Sequence, residues 1–248
     1  VTDPSVPLTY VGGDGSVSIG FNADGETEGQ LMGVFGRNDE RAVVGQLWWD
    51  RNGAGGVQGD YNWLWGATAA EVREDPSKAT VARLSFAVAQ NAEHNRKATL
   101  GFGIERRDYS VDAYLSRGLG GGSAAGSVFD DSTRPLSGSD DIGSYTELEI
   151  TTVETLLQRK AYDTEVGVQF SHVFDPLGMR VYGGAGLQDG EGDARAEIYS
   201  IGLDSPLGRR GWAMSARAEH QRRDGDFEDA HSDTRVSFFL RYQFGGRG

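Results

Sequence analysis

The stretch TRVSFFLRYQF, residues 234–244, decides the fold class. Val236, Phe238, Leu240, Tyr242 and Phe244 share one parity, Ser237, Arg241 and Gln243 share the other, and Phe239 alone breaks the rule. Successive side chains of a strand point to opposite faces, so this segment has one apolar face and one polar face. An outward apolar stripe that ends in an aromatic girdle residue is what the closing strand of an outer-membrane barrel requires. The five apolar residues are therefore expected to form the assembly signal of such a barrel.

The same period recurs upstream. Val17, Ile19 and Phe21 oppose Ser16, Ser18 and Asn22; Leu47 and Trp49 share a parity; Tyr61, Trp63 and Trp65 oppose Asp60 and Asn62. Leu100, Phe102 and Ile104, then Val166, Val168 and Phe170, repeat the scheme on either side of the middle. Thirteen segments emerge, but a single-chain bacterial barrel has an even number of strands. Residues 145–152 run on through VETLLQRK without a turn residue and are assigned to a large extracellular excursion, leaving 12 spanning strands. Residues 118–141 show neither period and are rich in turn formers, so GLGGGSAAG at 118–126 is expected to be a surface loop. ATAAEVREDPSK, after Gly66, has room for one short helical turn. Short links alternate with longer polar ones, placing DPLG and DSPLG on the periplasmic side and QDGEGD with RRDGDFEDAHSD outside. The expected organisation is an N-terminal segment (1–14), a closed antiparallel all-β transmembrane barrel (15–244) and a short tail (245–248).

Composition agrees with this class. Glycine supplies 37 of 248 residues against only 6 prolines, a density hostile to long helices but tolerable in a closed sheet. Lys+Arg 24 against Asp+Glu 37 leaves a formal charge of −13, which argues against binding nucleic acid. The absence of cysteine removes disulfide and thiolate chemistry. No run approaches the ~18 apolar residues of a transmembrane helix, and barrel strands never show one. VTDPSVPLTY carries no targeting signature, so export is expected to follow removal of a signal peptide.

A soluble sandwich would also alternate, but its polar faces would meet water on both outer surfaces. Here the polar parity repeatedly carries charge, at Asp60 and at Arg83, Asp112, Arg180, Arg217, Glu219 and Arg241. In a narrow barrel the last six are expected to pair across the lumen while lipid covers the apolar exterior.

Catalytic signals are weak. Ser171 and His172 are adjacent, so strand geometry points them apart and denies them a nucleophile–base relationship. The histidines at 94, 172, 220 and 231 lack metal-ligand spacing. Asp189, Glu191 and Asp193, with Asp224, Asp226, Glu228 and Asp229, form an acidic rim without the ordered pattern of a calcium loop. The glycine-rich run at 118–126 has no following lysine to hold a phosphate. No catalytic residue, metal or cofactor is expected, and a lipid hydrolase is the enzymatic alternative.

GQLMGVFGRNDERAVVGQLWWDRN, ATLGFGIERRDYSVDAYLSRG, AYDTEVGVQF with LGMRVYGG, and FFLRYQF together resemble the β-domain of intimin and invasin, the inverse autotransporters. Glu105, Arg107, Asp108 and Tyr109 fit one family motif, with Arg106 where an aromatic is usual; Arg241, Tyr242, Gln243 and Phe244 fit the closing motif. The resemblance implies a 12-stranded barrel that anchors an adhesin and translocates a C-terminal passenger, which would lie beyond Gly248. It implies outer-membrane lipid, lipopolysaccharide and the barrel assembly machinery as partners. A standalone pore, or a surface-exposed structural barrel without a passenger, is the competing reading.

Overall fold

The computed structural model describes residues 14–23, 25–91, 94–120, 123–139, 144–159, 163–174, 178–190, 195–208, 211–225 and 228–244; within 123–159 and 225–231 only the backbone is described. Twelve antiparallel strands close a barrel. They are β1 (Gly15–Asn22), β2 (Thr27–Arg37), β3 (Arg41–Asp50), β4 (Gly55–Leu64), β5 (Thr80–Gln90), β6 (Arg96–Arg106) and β7 (Tyr109–Gly120), then β10 (Thr164–Phe174), β11 (Met179–Asp189), β12 (Arg195–Pro206), β13 (Trp212–Gly225) and β14 (Glu228–Phe244). Closure pairs β1 with β14, from Gly15 opposite Phe244 to Asn22 opposite Ser237. No barrel strand is left with an unpaired edge, which is the condition for a sheet to sit in hydrocarbon.

The remaining strands, β8 (Ser123–Ser139) and β9 (Ser144–Arg159), pair only with each other as a separate unit. β7 accordingly pairs with β10, Arg117 opposite Thr164 and Tyr109 opposite His172. The excursion is thus a long hairpin, and the expectation of an irregular stretch over 118–141 is corrected. Period two marks a strand only where one face is wet and the other apolar. The ladder itself is made by backbone groups, so residues 123–139 pair without that signature. Residues 118–120 belong to β7, and the glycine-rich run is not a simple surface loop.

Two other boundaries move. β13 and β14 extend through much of the polar stretch read as a loop, with Gln221 opposite Asp233 and Arg222 opposite Ser232. Polarity there marks where an apolar exterior stops, not where pairing stops. The link between β4 and β5 forms a helix, α1 (Ala69–Glu74), and a single 3-10 turn at Pro76–Lys78. Thr68 caps the helix, accepting from the Glu71 backbone while the Glu71 carboxylate accepts from Thr68 N–H at 2.8 Å. This long link lies at the barrel end that carries Gly15 and Phe244, where only short turns were expected. The DPLG turn at 175–178 lies largely outside the described residues.

Outward positions carry the apolar parity. Phe21, Phe86, Leu100, Phe170, Ile201 and Phe238 are 54–62% exposed, an inverted arrangement that only a lipid environment satisfies. At the terminal end, Trp65 and Phe102 meet edge to face at 6.4 Å and Trp212 lies 5.0 Å from Tyr242. These rings form an interfacial girdle.

Candidate functional site

The lumen collects the polar parity of every barrel strand. Four inward aromatics each lie opposite a glycine on the next strand: Tyr114 at Gly167, Tyr182 at Gly202, Trp48 at Gly56 and Phe239 at Gly20. A Cβ at any of these glycines would collide with the ring. Glycine thus lets large rings lie flat on the wall, which explains Phe239 as the one apolar residue on the inward parity of the closing strand.

The terminal half of the lumen holds one set of charges. Arg83 on β5 donates to Asp112 Oδ1 on β7 from Nη2 at 2.6 Å and from Nε at 3.1 Å. Arg180 Nη2 donates to Glu105 Oε1 at 3.4 Å. Arg241 lies 3.8 Å from Asp204 and donates to the hydroxyls of Ser18 and Ser215, each at 3.4 Å. Gln58 donates to Asp60 Oδ1 at 2.7 Å.

The other half holds a second set. Glu165 accepts from Lys97 at 3.0 Å, from Gln188 at 3.0 Å and from the Tyr114 hydroxyl at 2.9 Å. The chain continues from Gln221 to Gln188 at 3.3 Å and from Arg223 to Gln221 at 2.8 Å. Arg217 pairs with Glu219 on its own strand at 2.6 Å, and Arg235 pairs with Glu28. Many of these side chains are buried, among them Arg83, Asp112, Glu165, Asp204, Gln221 and Arg241.

All six charged residues singled out from the sequence face the lumen, but they do not form one continuous network among themselves. Arg83 meets Asp112 and Arg217 meets Glu219, whereas Arg180 and Arg241 take Glu105 and Asp204, which sequence reasoning missed. Lys97, Glu165, Glu28, Arg235 and Trp48 were missed as well. Their parity was available, since Lys97 and Glu105 share that of Gly101 and Gly103, but their partners depend on strand stagger.

A cavity of about 100 Å³ lies between β2, β3, β13 and β14, bordered by Glu28, Trp48, Asp50, Arg217, Glu219 and Arg235. On the outer wall of β14, Phe238, Leu240, Tyr242 and Phe244 are exposed and Val236 is half-buried.

Ser171 faces inward and bonds the Ser110 hydroxyl at 2.7 Å, while His172 faces outward against Phe174 at 4.6 Å. The two diverge as strand geometry requires. No group of three His, Cys, Asp or Glu gathers to hold a metal among the described residues. Glu191, Asp193 and Asp226 lie outside those residues.

No protein-family model matches the sequence, and no curated protein matches it. Among solved structures, one from work on the in-meso crystallisation of membrane proteins aligns with TM-score 0.60 and 10% identity over 94% of this chain and 85% of its own. The COG4313 outer membrane channel from Pseudomonas putida F1 aligns with TM-score 0.51 and 10% identity over 98% and 99%. The KdgM porin follows at TM-score 0.49 and 9% identity, over 92% and 99%.

The inverse-autotransporter reading is corrected: at about 10% identity these likenesses show the closed outer-membrane barrel fold alone, and none of the structures named above is described as an intimin-type or adhesin-anchoring domain. The motifs that suggested one are common barrel chemistry. Arg107 and Asp108 make the tight turn between β6 and β7, and Tyr242 and Phe244 belong to the girdle. The chain is an integral outer-membrane protein, a closed antiparallel barrel of 12 strands.

Proposed function

We propose that this barrel is a narrow outer-membrane channel for small polar solutes, with the end bearing Gly15 and Phe244 in the periplasm. The observation that carries the reading is the chemistry of the interior, where six pairs of an arginine or lysine with a carboxylate line the lumen among the described residues. Buried ion pairs are no more stabilising than apolar side chains of equal volume, so stability alone gives no reason to fill a sealed barrel with them. A wet, mixed-charge path does. Side-chain rotamers change faster than strands move, so a path can open without disturbing the wall. Balanced charge favours neutral and zwitterionic solutes over polyanions. Lipid, lipopolysaccharide and the barrel assembly machinery are the partners this placement requires.

One observation favours a second reading, a sealed structural barrel. The belt from Lys97 through Glu165 and Gln188 to Gln221 is tightly closed, Gln221 being 2% exposed. Uptake into proteoliposomes decides between the two. Entry of small sugars and amino acids, falling steeply with solute size, supports the channel; liposomes no more permeable than protein-free controls establish the sealed barrel.

A further inference from the structure

We propose that the cleft beside the β4–β5 link binds the phosphodiester headgroup of an anionic glycerophospholipid, of the phosphatidylglycerol class, from the leaflet at the end bearing Gly15 and Phe244. The site lies on the outer wall and is independent of whether the lumen conducts.

The link sets this corner of the barrel apart. At this end β6 and β7 are joined by Arg107 and Asp108 alone, whereas β4 and β5 are joined by residues 65–79, which include α1. None of the side chains of α1 is buried, so the helix adds nothing to a packed core. Polar ties hold it instead: the Thr68–Glu71 capping box within the link, and an ion pair from Arg73 to Asp39 in the turn between β2 and β3. Between the link and the strand ends lies an open cleft of about 530 Å³, bordered by Trp65, Glu71, Ser77, Lys78, Thr80 and Arg106.

The groups on this border suit an anionic headgroup. Lys78 Nζ makes no hydrogen bond or close ion pair among the described residues, and Arg106 commits only its Nε–H, to Thr80 Oγ1 at 3.1 Å. One carboxylate, Glu71, borders the space, and its Oε2 is occupied by the Thr68 N–H and hydroxyl, each at 2.8 Å. Asp75 stands off the border and accepts from the Ser77 N–H at 3.1 Å and hydroxyl at 2.6 Å. Two cations against one carboxylate leave a single positive charge, which a phosphodiester with an uncharged headgroup cancels. A zwitterionic lipid would leave that charge standing. The apolar side of the cleft fits a lipid as well. Trp65 meets Phe102 at 6.4 Å, and Phe102 lies 6.4 Å from Trp63, so an exposed aromatic surface runs from the cleft onto the lipid-facing wall. A soluble phosphate would use the cations alone, whereas a lipid uses both.

The test uses the intact barrel in phosphatidylcholine nanodiscs with ¹⁵N-labelled tryptophan. Phosphatidylglycerol is raised stepwise in the lipid mixture while the Trp65 indole resonance, assigned with Trp65→Phe, is followed. The resonance is expected to shift saturably at a low mole fraction, and Trp212, on the same girdle beside Tyr242, serves as a control that drifts without saturating. Lys78→Gln with Arg106→Gln, both at exposed positions, is expected to weaken the response by about tenfold. Phosphatidylethanolamine in the discs and glycerol 3-phosphate in the buffer are each expected to give no saturable shift. Equal responses of Trp65 and Trp212, or of the double variant and the unmodified protein, overturn the proposal. So does saturation by phosphatidylethanolamine, which assigns the cleft to a zwitterionic headgroup, or by glycerol 3-phosphate, which assigns it to a soluble phosphate. If the double variant fails to fold, the comparison of the three probes on the unmodified protein still decides. A barrel that passes no solute yet binds phosphatidylglycerol here loses the channel and keeps the site.

Discussion

Arg83 on β5 reaches over β6 to Asp112 on β7 at 2.6 Å, through space that exists because residue 103 on the intervening strand is glycine. A Cβ at Gly103 would overlap the Asp112 carboxylate. Lumen ion pairs of this kind join strands that are not hydrogen-bonded neighbours, adding cross-ties to a wall otherwise held by backbone ladders.

Removing one partner leaves the other charge buried and uncompensated. Arg83→Leu is expected to destabilise the barrel by about 3–5 kcal/mol, whereas Arg83→Leu with Asp112→Leu recovers most of that loss. Urea unfolding in lipid vesicles measures both. A double variant as unstable as the single one would show that the pair contributes more than mutual neutralisation.

Gly167 makes the corresponding space for the Tyr114 ring, whose hydroxyl donates to Glu165 at 2.9 Å. Gly167→Ala is expected to displace the ring, break that bond and cost about 1–3 kcal/mol. A structure of the variant shows the displacement, and an unchanged unfolding midpoint would refute it.

Much of the lumen was legible because parity alone assigns Arg83, Asp112, Arg217 and Glu219 to the inside. Parity does not say who meets whom. Arg180 takes Glu105 from β6, three positions round the wall, because of the tilt and stagger of a closed sheet, which no single-strand pattern encodes. Asp204 was hidden inside a segment read as the turn DSPLG, although β12 continues to Pro206. Trp48 was overlooked beside Trp49, although its parity is the inward one. The closing motif misled about function because Tyr242 and Phe244 answer to the membrane interface, a demand that all such barrels share.

Glu26, in the turn between β1 and β2, accepts hydrogen bonds from Asn52 and, at 2.7 Å, from Asn22. These bonds, with Arg235 nearby, hold its carboxyl below the usual range. A carboxyl depressed by folding contributes stability above its unfolded value, about 4.3, and that contribution is lost as pH falls through the lower folded value. Carboxyl NMR is expected to place the Glu26 midpoint below that of free glutamate, and Asn52→Ala to raise it. No change in Asn52→Ala would assign the shift elsewhere.

Tyr242 packs at a tilt against Trp212 on the lipid-facing wall, and Phe244 ends the strand that closes on β1. Replacing both with alanine is expected to reduce the heat-modifiable folded form in outer membranes while leaving synthesis intact. Folded barrel at normal levels would exclude a role for the pair in assembly.

Single-channel recording across a planar bilayer tests the central claim most directly. The account predicts discrete, weakly ion-selective steps smaller than those of the wide 16-stranded porins, with larger steps when Glu165→Ala loosens the belt formed with Lys97, Gln188 and Tyr114. Bilayers that hold verified, inserted barrel yet stay electrically silent for both proteins would contradict it.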